Sequence, residues 1–249
     1  VIFEAKTFRM RGHEEASGTK YVPKELRDHW AKKDPIANYE SYLMQLGIEL
    51  EVLETLKEDI KKEINVAVEK AFSEAQLTVN PEQELADVYA PFTQKNKILK
   101  ATKREIRYVD AISEGLRQSL ERHQNLVFLG QDIAEYGGVF KISEGFLEQF
   151  GPLRIRNTPL CESAIVGITL GLSIAGMKAV MEMQFADFVT CGFNQIVNNL
   201  AKSYYRWAQN ADVVIRMPTG AGVNAGPFHS QSNEAWFFHT PGLKIVYPS

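Results

Sequence analysis

The chain has 249 residues, 45% of them hydrophobic, enough for one large domain or two modest ones with a real core. Its 28 basic and 31 acidic residues leave a net charge of −3, which gives no long-range field to draw in nucleic acid or an anionic membrane. Two cysteines, Cys161 and Cys191, make neither a disulfide framework nor a zinc motif, and a reducing, cytoplasmic compartment is expected.

In chain order, the mixed apolar and polar residues Ile2 to Arg9 (IFEAKTFR) predict a strand, and Arg11-Gly12-His13 opens a polar loop. Asp34-Pro35 puts a capping side chain before a proline at the first helical position, predicting a helix that stops at Gly47. From Glu49 to about Gln76, apolar residues recur every three or four positions among Glu and Lys, the pattern of a long amphipathic helix. Residues 90–104 (APFTQKNKILKATKR) lose this periodicity, and a linker is placed at 93–105.

Strands and helices then alternate. Helices are predicted at Tyr108 to His123, Ser143 to Phe150, Glu162 to Ala175, about Asp187 to Trp207, and Asn233 to Phe238. Strands are predicted at Leu126 to Gly130, near Arg154 to Arg156, at Ala179 to Met183, Asp212 to Met217 and Lys244 to Tyr247. The fold class is α/β: a mostly parallel sheet with helices on both faces at 106–249, preceded by a helical region at 1–92. The run Ala164 to Met183 approaches the roughly 20 residues of a membrane span, but Lys178 and Glu182 interrupt it, so helix, turn and strand is the reading.

In such a sheet, ligands sit beyond the carboxyl ends of the strands, which singles out the loops carrying Gln131-Asp132, Gln184 to Phe188, and Pro218 to Gln231. Glu162 heads an apolar helix, where it is either a working carboxylate or a cap favoured by the helix dipole. Gly167 and Gly171 are assigned to close helix packing. The glycine-rich stretch from Gly220 lacks a phosphate-loop lysine and leads instead to His229, a group suited to proton exchange near neutral pH, or else structural. Arg9, Arg11 and His13 are either an anion-receiving cluster or a solvated turn, and Phe185 and Phe188 are either a ring-stacking wall or core.

Several segments together are specific. Ile2 to Tyr21 (IFEAKTFRMRGHEEASGTKY) and the helices to Phe92, including Lys33-Asp34-Pro35-Ile36, resemble the end of the alpha subunit of 2-oxo acid dehydrogenases. From Ile106, LGQDIAEYGGVFK, TPLCESAIVG, EMQFADF, NQIVNNLAK and HSQSNEAWFFHTPGLKIVYPS resemble the beta subunit in unbroken order. The resemblance implies a fused decarboxylating dehydrogenase component with a thiamine-diphosphate-binding fold, its aminopyrimidine held on the beta side. Glu162 then matches the glutamate that hydrogen-bonds a pyrimidine nitrogen, Phe188 an aromatic lining the ring, and His229 the histidine of acyl transfer to lipoamide. His13 matches an alpha-side histidine beside cofactor and substrate, and Arg9 a basic residue near the phosphates. Kinase-regulated members carry a serine after that histidine, where this chain has Glu14.

The same resemblance implies a 2-oxo acid substrate, a lipoyl-bearing acyltransferase core as partner, and a homo-oligomer. QFADF looks closer to the branched-chain type than to the pyruvate or acetoin type. A non-catalytic assembly module and a transketolase-like enzyme are the other readings. Magnesium is expected to be held mainly by a Gly-Asp-Gly and paired-asparagine motif upstream of Val1, so that this stretch alone binds cofactor poorly and is inactive. Asn198-Asn199 has no Gly-Asp-Gly before it and is read as structural.

Overall fold

The computed structural model describes residues 3–93 and 104–248, apart from the side chain of Ser17. The chain divides into two units, 1–78 and 79–249. The predicted linker at 93–105 falls mostly outside the described residues.

The first unit holds α1 (Lys24–Ala31), α2 (Pro35–Gln45) and α3 (Leu50–Ser73). Asp34 caps α2 as its position predicts: its side chain accepts from Ala37 N at 2.9 Å, and Pro35 fills the first turn, where no N–H is needed. At the other end Gly47 takes φ 92°, letting Ile48 N–H reach back to Leu43 O at 3.1 Å. Of the predicted strand at Ile2 to Arg9, Ile2 lies outside the described residues, and no strand forms at residues 3–9. Residues 3–9 have no ladder partner among the described residues; Phe8 instead stacks on Trp30, ring centroids 5.8 Å apart.

The second unit begins with α4 (Pro81–Ala86), capped by Asn80. Then follow α5 (Tyr108–Arg122), β1 (Leu126–Gly130), α6 (Phe146–Phe150), β2 (Ile155–Asn157), α7 (Glu162–Ile174), β3 (Lys178–Glu182), α8 (Val189–Asn194), α9 (Ser203–Trp207) and β4 (Val213–Arg216). The strands pair in parallel in the order β2-β1-β3-β4. Alternate residues of β1 and β3 serve opposite faces. Val127, Leu129, Ala179 and Met181 pack with Ile165 and Val166 of α7, while Leu126, Phe128 and Val180 pack with Leu120 of α5 and Phe146 of α6. Helices thus cover both faces of a parallel sheet, as expected. At its far end, α7 is tied to the approach to β4 by Asp212 N donating to Ser173 Oγ at 2.7 Å.

The long predicted helix from Asp187 to Trp207 is broken. A 3-10 turn at Ala186–Phe188 leads into α8, a π-helical turn spans Gln195–Leu200, and Ala201 N bonds Ile196 O five residues back. The segment predicted as α-helix at Asn233 to Phe238 is a 3-10 turn, Glu234–Phe237. The predicted strand at Lys244 to Tyr247 makes no ladder: Leu243 and Ile245 pack on the core, and tyrosine hydroxyls satisfy carbonyls there, Tyr89 to Leu243 O and Tyr108 to Pro248 O, each 3.1 Å. No described helix is long and apolar enough to cross a membrane.

Candidate active site

Parallel strands bring four loops to one end of the sheet. The strand order reverses between β1 and β3, because the chain leaves β1 for β2 on one side and then crosses to β3 on the other. Crevices form beyond the carboxyl ends at such a reversal, since neighbouring connections diverge to opposite faces. Gln131 and Asp132 follow β1, Gln184 follows β3, and Gln184 Nε2 donates to Asp132 Oδ2 across that point at 3.3 Å.

Glu162 is the first residue of α7, reached from β2 through a loop that Thr158 N–H ties to Gly130 O at 2.9 Å. Its side chain is buried, 7% exposed, and Oε1 accepts from Gln131 Nε2 at 3.3 Å. It enters no ion pair among the described residues. No side chain caps α7, so the helix dipole and one amide are what the carboxylate meets. Gln131 is buried in turn, and its own Oε1 has no partner among the described residues. A carboxylate and an amide oxygen held this way present one charged and one neutral acceptor, an arrangement suited to a ligand with neighbouring hydrogen-bond donors.

The aromatic part lies after β3. Phe185 precedes the 3-10 turn and Phe188 ends it, with ring centroids 5.8 Å apart, and the His229 imidazole stands near perpendicular to both, 5.0 Å from Phe185 and 5.5 Å from Phe188. Phe140 meets Phe185 at 6.0 Å. Phe188 and His229, far apart in sequence, are therefore neighbours. Behind them, Gly192 lets α8 approach α7 closely: a Cβ there would stand 3.1 Å from Val166 Cγ2 and 3.7 Å from Glu162 O.

A charged pair braces the sheet beneath. Glu182, at the end of β3, is 4% exposed and its Oε2 lies 2.6 Å from Arg216 Nη1 on β4. Burial pushes the Glu182 carboxyl above the ordinary glutamate value, and Arg216 pulls it back.

In the first unit, Arg9 and His13 come together: Arg9 Nη1 donates to His13 O at 3.1 Å, and His13 N–H donates to the Tyr21 hydroxyl at 2.5 Å. Both side chains are exposed. Gly12, at φ 82°, makes this turn possible, since a Cβ would stand 2.6 Å from Gly18 O. Sequence reasoning gave no role to Gln131 or Asp187 individually. Their signal was only their place in loops that follow strands. Among the described residues no group of three His, Cys, Asp or Glu side chains is placed to hold a metal ion.

Residues 104–249, more than half of the chain, match the family model of the transketolase pyrimidine binding domain, and residues 1–80 match that of the dehydrogenase E1 component. Among curated relatives, the 2-oxoisovalerate dehydrogenase subunit beta of Bacillus subtilis is 46% identical over 146 residues, covering 57% of this chain and 44% of that one. The pyruvate dehydrogenase E1 component subunit beta of Leifsonia xyli is 44% identical over 143 residues, 57% and 42% of the two chains. The 3-methyl-2-oxobutanoate dehydrogenase subunit beta of Mycobacterium tuberculosis is 37% identical over 171 residues, 68% and 46%. The chain spans less than half the length of each of these relatives. A parallel sheet with helices on both faces and the match over residues 104–249 lead to one conclusion: the chain belongs to the transketolase pyrimidine-binding-domain family, and residues 1–80 ahead of that domain are similar to the dehydrogenase E1 component.

Proposed function

We propose that residues 106–249 form the pyrimidine-binding side of a thiamine-diphosphate site, in a dehydrogenase component that oxidatively decarboxylates a 2-oxo acid and passes the acyl unit to a lipoyl group. Residues 1–92 are assigned to the alpha-type part. The observation that carries this reading is the buried Glu162 carboxylate at the head of α7, beyond the carboxyl ends of the strands and bonded to a single amide.

The residues fit a pyrimidine. Glu162 offers a carboxylate to a ring nitrogen, Gln131 Oε1 is a buried acceptor without a donor, and Phe188 offers a flat apolar wall. When bound, thiamine diphosphate supplies the electron sink that loss of carbon dioxide requires. Glu162 holds a proton at the ring nitrogen, in surroundings dry enough to keep the hydrogen bond strong. His229 moves a proton as the acyl unit passes to the lipoyl sulfur. In the first unit, Arg9 is assigned to the phosphates and His13 to the cofactor and substrate, with magnesium held by residues other than these.

A branched-chain 2-oxo acid is the proposed substrate class, supported by QFADF at Gln184 to Phe188 and by the names of the relatives at 46% and 37% identity. The relative at 44% named for pyruvate supports a pyruvate-type enzyme as the second reading. The ratio of kcat/KM for 2-oxoisovalerate to that for pyruvate separates the two. The central claim is tested in the complete enzyme by Glu162→Gln, which keeps the volume and removes the charge. Release of carbon dioxide from the 2-oxo acid should fall by about 100-fold or more, and activity near that of the unchanged enzyme would remove the role assigned to Glu162.

A further inference from the structure

Asp187 stands in the 3-10 turn between Phe185 and Phe188 and is 9% exposed. Its Oδ1 accepts the backbone N–H of Gln231 at 3.3 Å, while Oδ2 is buried without a partner among the described residues. Burying a carboxylate is costly unless it is well bonded, so a solvated turn residue would be the cheaper choice here. The contact it does make falls two residues beyond His229. The loop that carries this histidine is fixed to the same turn at both ends: Ala186 N donates to Pro218 O at 2.8 Å, and Asn233 Nδ2 donates to Ala186 O at 3.1 Å. Between those ends, the imidazole meets Phe185 and Phe188 with ring planes near perpendicular. Edge contacts between rings hold over a broad range of distance and leave an imidazole free to slide. A hydrogen bond from an amide to a carboxylate is directional, and it sets the register of the loop.

We propose that Asp187 is the positioning residue for His229: its carboxylate fixes Gln231 so that the imidazole stands in the notch between Phe185 and Phe188. The consequence for acyl transfer rests on the reading of His229 given above, but the positioning itself does not. It is tested by nuclear magnetic resonance on the 249-residue chain. In the unchanged chain, the Gln231 amide should exchange with deuterium at least about tenfold more slowly than those of Phe228 and Ser230. The His229 ring signal, assigned by its loss in H229N, should be displaced by the two phenyl rings. In D187A it should move to the position of a free imidazole, while D187N, which retains an acceptor oxygen, should keep most of the displacement. A Gln231 amide that exchanges as fast as its neighbours, or a His229 signal unmoved in D187A, overturns the proposal. Should D187A not fold, the Gln231 exchange rate in the unchanged chain decides alone. Failure of the acyl-transfer reading would be seen separately, as a complete enzyme carrying H229A that still acylates lipoamide at the ordinary rate while Gln231 stays protected.

Discussion

Gln131 donates its side-chain amide to Glu162 Oε1 at 3.3 Å, joining the loop after β1 to the first residue of α7. Both residues are buried, so the bond is shielded from competing water. Replacing Gln131 by leucine keeps the bulk and strands the carboxylate. The second unit should lose about 1–3 kcal/mol of stability, measured as the shift of its urea midpoint at neutral pH.

The Glu182–Arg216 pair gives a prediction whose sign depends on pH. Burial raises the Glu182 carboxyl, so the folded protein binds that proton more tightly than the unfolded chain. Stability from this group is complete below the ordinary glutamate value and declines as pH rises through the raised one. Glu182→Gln should flatten that decline in the acid limb of a stability-against-pH curve. Arg216→Met, which leaves a buried charge uncompensated, should cost about 3–5 kcal/mol near pH 7 and clearly less at pH 4.

Gly130 ends β1 against β3, where an added Cβ would lie 2.7 Å from the carbonyl oxygen of Glu182. Backbone cannot yield there without opening the β1–β3 ladder. Gly130→Ala should destabilise the sheet by about 1–3 kcal/mol, read from the same urea transition. An unchanged midpoint would show that the strands separate at little cost.

Asp34 caps a helix of the first unit. Its side chain satisfies Ala37 N at the start of α2, and Asp34→Ala should remove about 1 kcal/mol from the first unit. Asp34→Asn should restore most of this, since an amide oxygen accepts the same bond. Thermal unfolding followed by circular dichroism would report both.

Much of this architecture was legible in the sequence, and where it was not the causes are partly local and partly long-range. Leu126 to Gly130 and Glu162 to Ile174 follow from an apolar run and from an acidic residue that opens an apolar helix, patterns that pairing and packing both reinforce. The helix predicted from Asp187 onward is broken because 3-10 and π bonding compete with α bonding there, and apolar spacing does not distinguish them. Lys244 to Tyr247 has the composition of a strand, yet a strand needs a partner, and Tyr89 and Tyr108 donate to the carbonyls flanking it. At the site, the meeting of Phe188 with His229 and of Gln131 with Glu162 is a product of strand order, which no short motif encodes. The contact of Arg9 with His13 is short-range and forms within the loop read from Arg11-Gly12-His13.

The attachment of α7 by Ser173 at one end and the carboxylate at the other makes the helix a lever. The eleven steps from Ser173 to Glu162, at about 1.5 Å each, give an arm of about 16 Å. A tilt of about 3.5° at the Ser173 anchor would swing Glu162 by about 1 Å, and in the role proposed for it a misplacement of that size slows catalysis about a hundredfold. Substitutions among the side chains packed around Ser173 and Asp212 would thereby shift the Glu162 carboxylate from the far end of its helix, and with it the role proposed for that group.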